Sequence, residues 1–466
     1  MKLIKQNIRL ISFILCGLLL SLIIYGAYSI TNYGSRWFSS GANSQLHRVK
    51  ANVIAGNITD RSSRVLASTD AQGKRVYAQD AEVRRSLVHV VGDDLNNVAY
   101  GAESFMASYL YAFNESYLER LLSAIKGEER RGNDIALSVD SVLSKEAYSL
   151  FPKDKSGSII VMNYRTGEIL TLQSYPSFDP MNLTSLDKDN PLKPFWNRAT
   201  KWVSAPGSTF KVITLASALQ NISGATSKVY TCLGSYPVMD TTITDANNAV
   251  HHELNLKKAL VLSCNITFAQ VALELGDKLL GKTAADFGFG DYFLFSDLVV
   301  ENSVYPIVNR SEKEIAWTGP GQSSIQVSPL HMAMIAAGIA NDGVMMEPKL
   351  LLKATDTAGT NKYSFQPSVY RTALTKTDAD IVAGYMQETV RSGTAKSAAV
   401  AGVKICGKTG SAQIDGQAET NAWFVGFIDD PRYPYALCVV VEDAGGGGAI
   451  AAPIAGKLFR FMTGGQ

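Results

Sequence analysis

Residues 205–220 read APGSTFKVITLASALQ: a Pro-Gly turn, two hydroxyls, then an apolar run that carries one charge. Val212, Ile213, Leu215, Ala216, Ala218 and Leu219 leave the helix that this run predicts little room for a water-facing side, so Lys211 needs a partner or a task. Ser208 stands three residues earlier, which on a helix is the same face. An alcohol is a poor nucleophile until a base takes its proton. A lysine in an apolar pocket loses part of its preference for the charged form and can be that base. The free N–H groups and positive dipole end of a helix start also favour a developing oxyanion.

Alone, Ser-x-x-Lys is a weak signal. A capping serine followed by a surface lysine has the same spelling, and the tetrad recurs at Ser185–Lys188 in the polar stretch SLDKDN. The Ser208 copy gains weight from two companions that follow it in order. Ser263-Cys264-Asn265 is the single Ser-x-Asn of the chain, and Lys408-Thr409-Gly410 lies in VKICGKTGSAQ (403–413). An earlier Lys-Ser-Gly, at 155–157, precedes Ser208 and breaks that order.

Further out, the chain has 466 residues, room for two or three domains of roughly 100–200 residues. Its 46% hydrophobic and 18% charged residues are an ordinary globular composition. A net charge of +2 carries no electrostatic footprint for nucleic acid. Residues 10–35 hold no charge, enough for the roughly 20 residues of a membrane-spanning helix. Lys2, Lys5 and Arg9 precede them, so the positive-inside rule leaves the N-terminus cytoplasmic and the rest outside. A cleaved signal peptide ending near Ala27-Tyr28-Ser29 is the rival, but the apolar stretch exceeds the usual ~7–15 residues.

Cys16, Cys232, Cys264, Cys406 and Cys438 form no CxxC, and HHEL at 251–254 is not HExxH, so the spacing implies no metal. No cofactor is expected either. GVKICGKT (402–409) does fit a phosphate-cradling loop. That loop needs an apolar strand before it and a helix from its lysine onward; KSAAVA before and GSAQIDGQAETN after supply neither.

Two apolar runs around Tyr164-Arg165-Thr166-Gly167 (157–180) read as a hairpin, and NAWFVGFIDDPRYPYALCVVVED (421–443) as a second β-rich pair. Helical patterns, including SPLHMAMIAAGIANDG (328–343), fill the space between. A sheet built from both ends of one region, with helices between, predicts an α+β domain. The expected division is a cytoplasmic 1–9, an anchor at 10–30, a small domain at 31–135 and a catalytic domain at 136–466. The sheet is expected to begin near residue 136.

The ordered triple of motifs resembles that of the class B, monofunctional penicillin-binding proteins, and the likeness extends into the flanks. NRATKWVSAPGSTFK (197–211), YPSFDPMN (175–182), GPGQSSIQVSPLHMAMIAAGIANDG (319–343), RSGTA (391–395), AWFVGF (422–427) and AAPIAG (451–456) are similar to family segments. GNITDRSSRVLA (56–67) resembles the family's small-domain motif, with Ala55 where an arginine usually precedes it and Ser63 in place of a glycine.

The resemblance implies the penicillin-binding transpeptidase fold: an antiparallel sheet flanked by helices, a helical subdomain, a smaller N-terminal pedestal and one transmembrane helix. It implies a serine D,D-transpeptidase that cross-links peptidoglycan stem peptides and is stopped by β-lactams. Ser208 would be the nucleophile and Lys211 its base, with Ser263 the proton relay and Asn265 a partner of the donor peptide. Lys408, Thr409 and Gly410 would hold the substrate's carboxylate end. The backbone N–H groups of Ser208 and Ser411 would form the oxyanion hole. A polytopic glycosyltransferase of the shape, elongation, division and sporulation family is the implied partner. A D,D-carboxypeptidase, a β-lactamase and a non-catalytic β-lactam sensor are the alternatives on the same fold.

Overall fold

Five antiparallel strands make the central sheet, in the order Ile405–Ala412, Asn421–Ile428, Tyr435–Val441, Gly157–Asn163, Ile169–Tyr175. The computed structural model describes residues 2–38, 53–112, 125, 130–183, 190–306, 310–414 and 418–465. The two β-rich segments expected from sequence are joined where Tyr435–Val441 pairs with Gly157–Asn163. The two ends of the region thus close one sheet.

The inner strands Gly157–Asn163, Asn421–Ile428 and Tyr435–Val441 are largely apolar because both faces of the sheet are covered. Successive side chains alternate faces. Ile160, Met162 and Val440 join the core that holds Met332 and Ile335, whereas Ile159, Val161 and Val439 pack with Leu143, Ala147, Leu458 and Phe459. The first face carries the helix Pro329–Ala340, apolar all round and buried from Pro329 to Ile339. Its start is fixed by the Ser328 cap and a proline in the first turn. Helices Ser141–Leu150 and Ala451–Met462 cover the second face.

A six-stranded second sheet runs Asn361–Ser364, Leu351–Thr355, Asp134–Leu137, Ile58–Thr59, Val65–Thr69, Arg75–Tyr77. This corrects the expectation that the catalytic sheet begins near residue 136. Asp134–Leu137 pairs in parallel with Ile58–Thr59 and antiparallel with Leu351–Thr355, so the boundary expected at 135/136 falls inside a strand of the small sheet. A short strand carries no local mark of which sheet it joins, because its partners lie far away in the chain.

Asp60 ties this sheet to the helix that follows it. Its buried carboxylate accepts from the Ser141 hydroxyl at 2.6 Å and from the amides of Ser62 and Arg64 at 2.8 and 2.9 Å. Burial pushes its pKa up, but those hydrogen bonds outweigh it and hold the carboxyl below its ordinary value. Ser63 sits at φ +65°, the left-handed region that glycine adopts without steric penalty.

Helix Lys2–Phe38 contains one span, Ile4–Thr31, long and apolar enough to cross a membrane. Ala102–Phe105 and Ala107–Leu110 are short helices, and 113–124 and 126–127 lie outside the described residues. The Ser185–Lys188 tetrad also lies outside them.

Candidate active site

Ser208 stands on a single 3-10 turn, Gly207–Phe210, that runs directly into the α-helix Lys211–Asn221. The serine therefore precedes the α-helix rather than opening it. Residues three apart eclipse in a 3-10 turn, so Ser208 and Lys211 still share a face. Gly207 has φ +55°, and a Cβ there would sit 2.8 Å from the Ser411 carbonyl oxygen. Gly410 is as constrained, since its Cβ would lie 2.8 Å from the Pro206 carbonyl oxygen and 3.0 Å from Thr209 Cγ2. These two glycines let the turn and the strand Ile405–Ala412 pass in backbone contact. That contact brings Ser411 beside Ser208.

Lys211 is fully buried. Its Nζ donates to Asn265 Oδ1 at 2.7 Å, to the Ser263 carbonyl at 2.5 Å and to Ser263 Oγ at 3.2 Å. Burial lowers its pKa to about 7, with Cys264 and Asp245 pulling the other way. Lys408, also fully buried, reaches the same hydroxyl: its Nζ is 2.9 Å from Ser263 Oγ and 2.8 Å from the Thr409 carbonyl. Its pKa falls well below the lysine range, through burial first and repulsion from Lys211 second. Ser263 presents the shared oxygen from φ +59°, ψ 36°, the left-handed residue that ends helix Leu256–Leu262. A serine held there is strained unless its surroundings fix it.

The remaining chosen residues complete the wall of a cleft of about 650 Å³. Ser208, Ser263, Asn265, Thr409 and Ser411 line it, and the two lysines lie beneath. Thr409 Oγ1 donates to Thr394 Oγ1 at 2.8 Å, and Ser411 Oγ accepts from the Gly447 amide at 3.2 Å. Ser208 Oγ has no hydrogen-bond partner among the described residues. The arrangement offers a half-buried nucleophile at the cleft wall, a buried amine poised near neutrality and a hydroxyl able to pass protons between two amines.

Lys408 lies inside a strand with its amine on Ser263, which is not how a phosphate loop presents its lysine. Sequence reasoning did not single out Trp317, Asp245 or His251 on the cleft wall, and it met Thr394 and Gln322 only inside segments quoted for resemblance. Residues able to hold a metal do exist. Cys232, Asp245, His251 and Cys264 place one ligand atom each within 4.8 Å of all the others. Their spacings, 13, 6 and 13 residues, match no short motif.

Fold and cleft together are those of a penicillin-binding serine acyltransferase. Residues 157–460 match the family model of the penicillin-binding protein transpeptidase domain, and the chain belongs to that family, in its class B. It is similar to the peptidoglycan D,D-transpeptidase PbpA of Mycolicibacterium smegmatis, 31% identical over 369 residues that cover 72% of this chain and 73% of that one. The peptidoglycan D,D-transpeptidase MrdA of Acinetobacter baumannii is 29% identical over 454 residues, 88% of this chain and 64% of that protein. Among solved structures, the imipenem acyl-enzyme of penicillin-binding protein A from M. tuberculosis superposes with a TM-score of 0.80 at 26% identity, covering 89% of this chain and all of that one.

Proposed function

We infer that this chain is a serine D,D-transpeptidase that cross-links peptidoglycan stem peptides and is acylated by β-lactams. The observation that carries this reading is the meeting of Lys211 and Lys408 on Ser263, beneath a cleft that holds Ser208. Neutral Lys211 takes the Ser208 proton as Oγ bonds to the carbonyl carbon between the two D-alanines. The displaced electron pair moves to the carbonyl oxygen, which the N–H groups of Ser208 and Ser411 receive; one such donor is worth about 10²- to 10³-fold in rate. As the C–N bond breaks, Ser263 gives its proton to the leaving nitrogen and recovers one from Lys211. Lys408, Thr409 and Gly410 hold the terminal carboxylate, whose charge draws Lys408 back to its protonated form. Asn265 donates one amide proton to the Thr244 carbonyl and offers the other to the donor peptide. An amine of a second strand then takes the acyl group.

A hydrolase would need a base to activate water on the acyl-enzyme. Asp245, the one carboxylate among the described residues that line the cleft, already accepts from the Asn265 amide and from the thiols of Cys264 and Cys232, which favours transfer over hydrolysis. Lys2, Lys5 and Arg9 favour a cytoplasmic N-terminus with the cleft outside the membrane. The anchor helix and the small sheet are the surfaces we assign to a polytopic glycosyltransferase of the shape, elongation, division and sporulation family.

Intact-protein mass after exposure to benzylpenicillin, with peptide mapping, tests the reading. A lasting adduct on Ser208 is expected. Drug consumed without adduct would make the protein a β-lactamase, and folded protein with neither adduct nor drug loss would overturn the chemistry.

A further inference from the structure

We propose that a cavity between the anchor helix and the small sheet binds the primary ammonium headgroup of a membrane phospholipid. The cavity measures about 420 Å³, within the roughly 300–1,000 Å³ of small-molecule sites. Ile30 and Gly34 of helix Lys2–Phe38 form one wall. Phe105 and Tyr109, one on each short helix, Tyr363 of strand Asn361–Ser364 and Asp297 of an irregular loop form the others.

One side chain of this cavity is short of a partner. Asp297 is only 5% exposed, and its Oδ2 accepts from the Leu350 and Leu351 amides at 2.7 and 2.8 Å. Its Oδ1 is just as enclosed and accepts from nothing among the described residues. Lys349, the cation whose charge reaches Asp297, gives its amine to Glu347 Oε1 at 2.5 Å and to Ser296 Oγ at 2.8 Å. Burial therefore wins and pushes the Asp297 carboxyl above its ordinary value, the state of a carboxylate without a counter-ion. An ammonium group supplies both things that are lacking, an N–H for Oδ1 and a positive charge.

The rings favour the same ligand. Tyr109 and Tyr363 have centroids 6.1 Å apart and planes tilted by 56°. An aromatic face attracts a cation held within about 6 Å of its centre. Burial first and Asp297 second push the Tyr363 phenol up to about 12, so carboxylate and ring act on one volume. The bland account is an ordered water on Oδ1. A water fills only about 30 Å³ and makes no use of two ring faces.

The position of the cavity names the source of the ammonium. The apolar span runs Ile4–Thr31, so Ile30 lies at its end and Gly34 just beyond. That is the headgroup level of a bilayer, where tyrosines concentrate. Because Oδ1 needs an N–H, ethanolamine should be preferred to choline, whose nitrogen carries none.

The test places the full-length chain in detergent micelles with equal amounts of phosphatidylethanolamine, phosphatidylcholine and phosphatidylglycerol, and reads retained lipid by native mass spectrometry. The wild type should retain one phosphatidylethanolamine at least about 10-fold over either competitor, as expected for one hydrogen bond between charged groups. Asp297→Asn keeps an oxygen for the Leu350 and Leu351 amides and should abolish that preference. Tyr363→Leu should weaken it about tenfold. Equal retention of all the lipids by the wild type, a reading that needs no variant to fold, would overturn the proposal. So would an unchanged preference in Asp297→Asn. No retained lipid, with added ethanolamine alone raising the melting temperature, would assign the site to a soluble amine and overturn the lipid source. Neither lipid nor ethanolamine bound would overturn it too and leave a basic side chain of a membrane partner as the occupant. Lipid retention does not depend on Ser208, so it stands even if the transpeptidase reading fails.

Discussion

Lys211 and Lys408 share one oxygen: their amines lie 3.2 and 2.9 Å from the hydroxyl of Ser263. Burial disfavours the charged form of both amines, and repulsion from Lys211 lowers Lys408 further. The site therefore stores a free amine where solvent would leave almost none. At an ordinary lysine pKa, on the order of one molecule in two thousand is neutral at pH 7.

Acylation by penicillin should follow that amine. With Lys211 at about 7, its neutral fraction grows as pH rises, so the second-order acylation rate should climb about tenfold per pH unit below 7 and level off above it. Lys408 faces Lys211 across Ser263, and Cys264 and Asp245 oppose the shift, so replacing Asp245 by Asn should move the midpoint down. Stopped-flow acylation between pH 5 and 9 reads the curve. A flat profile would remove Lys211 from the role of base.

Ser263→Ala deletes the shared hydroxyl and keeps both lysines. Proton transfer through a positioned group is worth about 10²- to 10⁴-fold, so acylation should fall by at least about 100-fold while thermal unfolding shifts little. Equal acylation rates in the two proteins would sink the relay.

Gly410→Ala tests the backbone contact instead. Its Cβ would meet the Pro206 carbonyl at 2.8 Å and push the strand away from the Ser208 turn. Displacement of a catalytic group by about 1 Å costs about 100-fold. The expected result is that loss in acylation rate with Lys211 and Lys408 intact, and an unimpaired variant would show that the two segments can part freely.

Ser63→Gly should stabilise the protein. The left-handed conformation at φ +65° costs a side-chain-bearing residue about 1–2 kcal/mol, partly returned by glycine's larger unfolded-state entropy. A net gain of about 0.5–1 kcal/mol in denaturant unfolding is expected. A loss would mean that the serine side chain stabilises the turn more than its backbone strains it.

The site was legible because its chemistry is spelled in short local runs. Ser208 and Lys211 are one turn apart, and Lys408, Thr409 and Gly410 are contiguous, so each piece could be read locally, but that the pieces meet at Ser263 and Asn265 was implied by the family resemblance alone. The central sheet was legible for a similar reason: its hairpins announce themselves through apolar runs and turns. Strand Asp134–Leu137 was not. Its four residues belong to the small sheet only because Ile58–Thr59 and Leu351–Thr355 lie on either side of it. Cys232, Asp245, His251 and Cys264 are the same case in chemistry, since each is unremarkable in its own segment and only the fold brings them together.

The small sheet draws strands from 58–77, from 134–137 and from 351–364, so the polypeptide crosses the border with the catalytic sheet again and again. Several covalent crossings and the Asp60–Ser141 hydrogen bond span that border, so rotation about any one linker must deform the others. Displacement of the small sheet is therefore coupled, through chain and hydrogen bond, to the sheet it borders. Helix Ser141–Leu150, held by Asp60 at its first residue and packed on the central sheet, is where the two sheets are joined most directly.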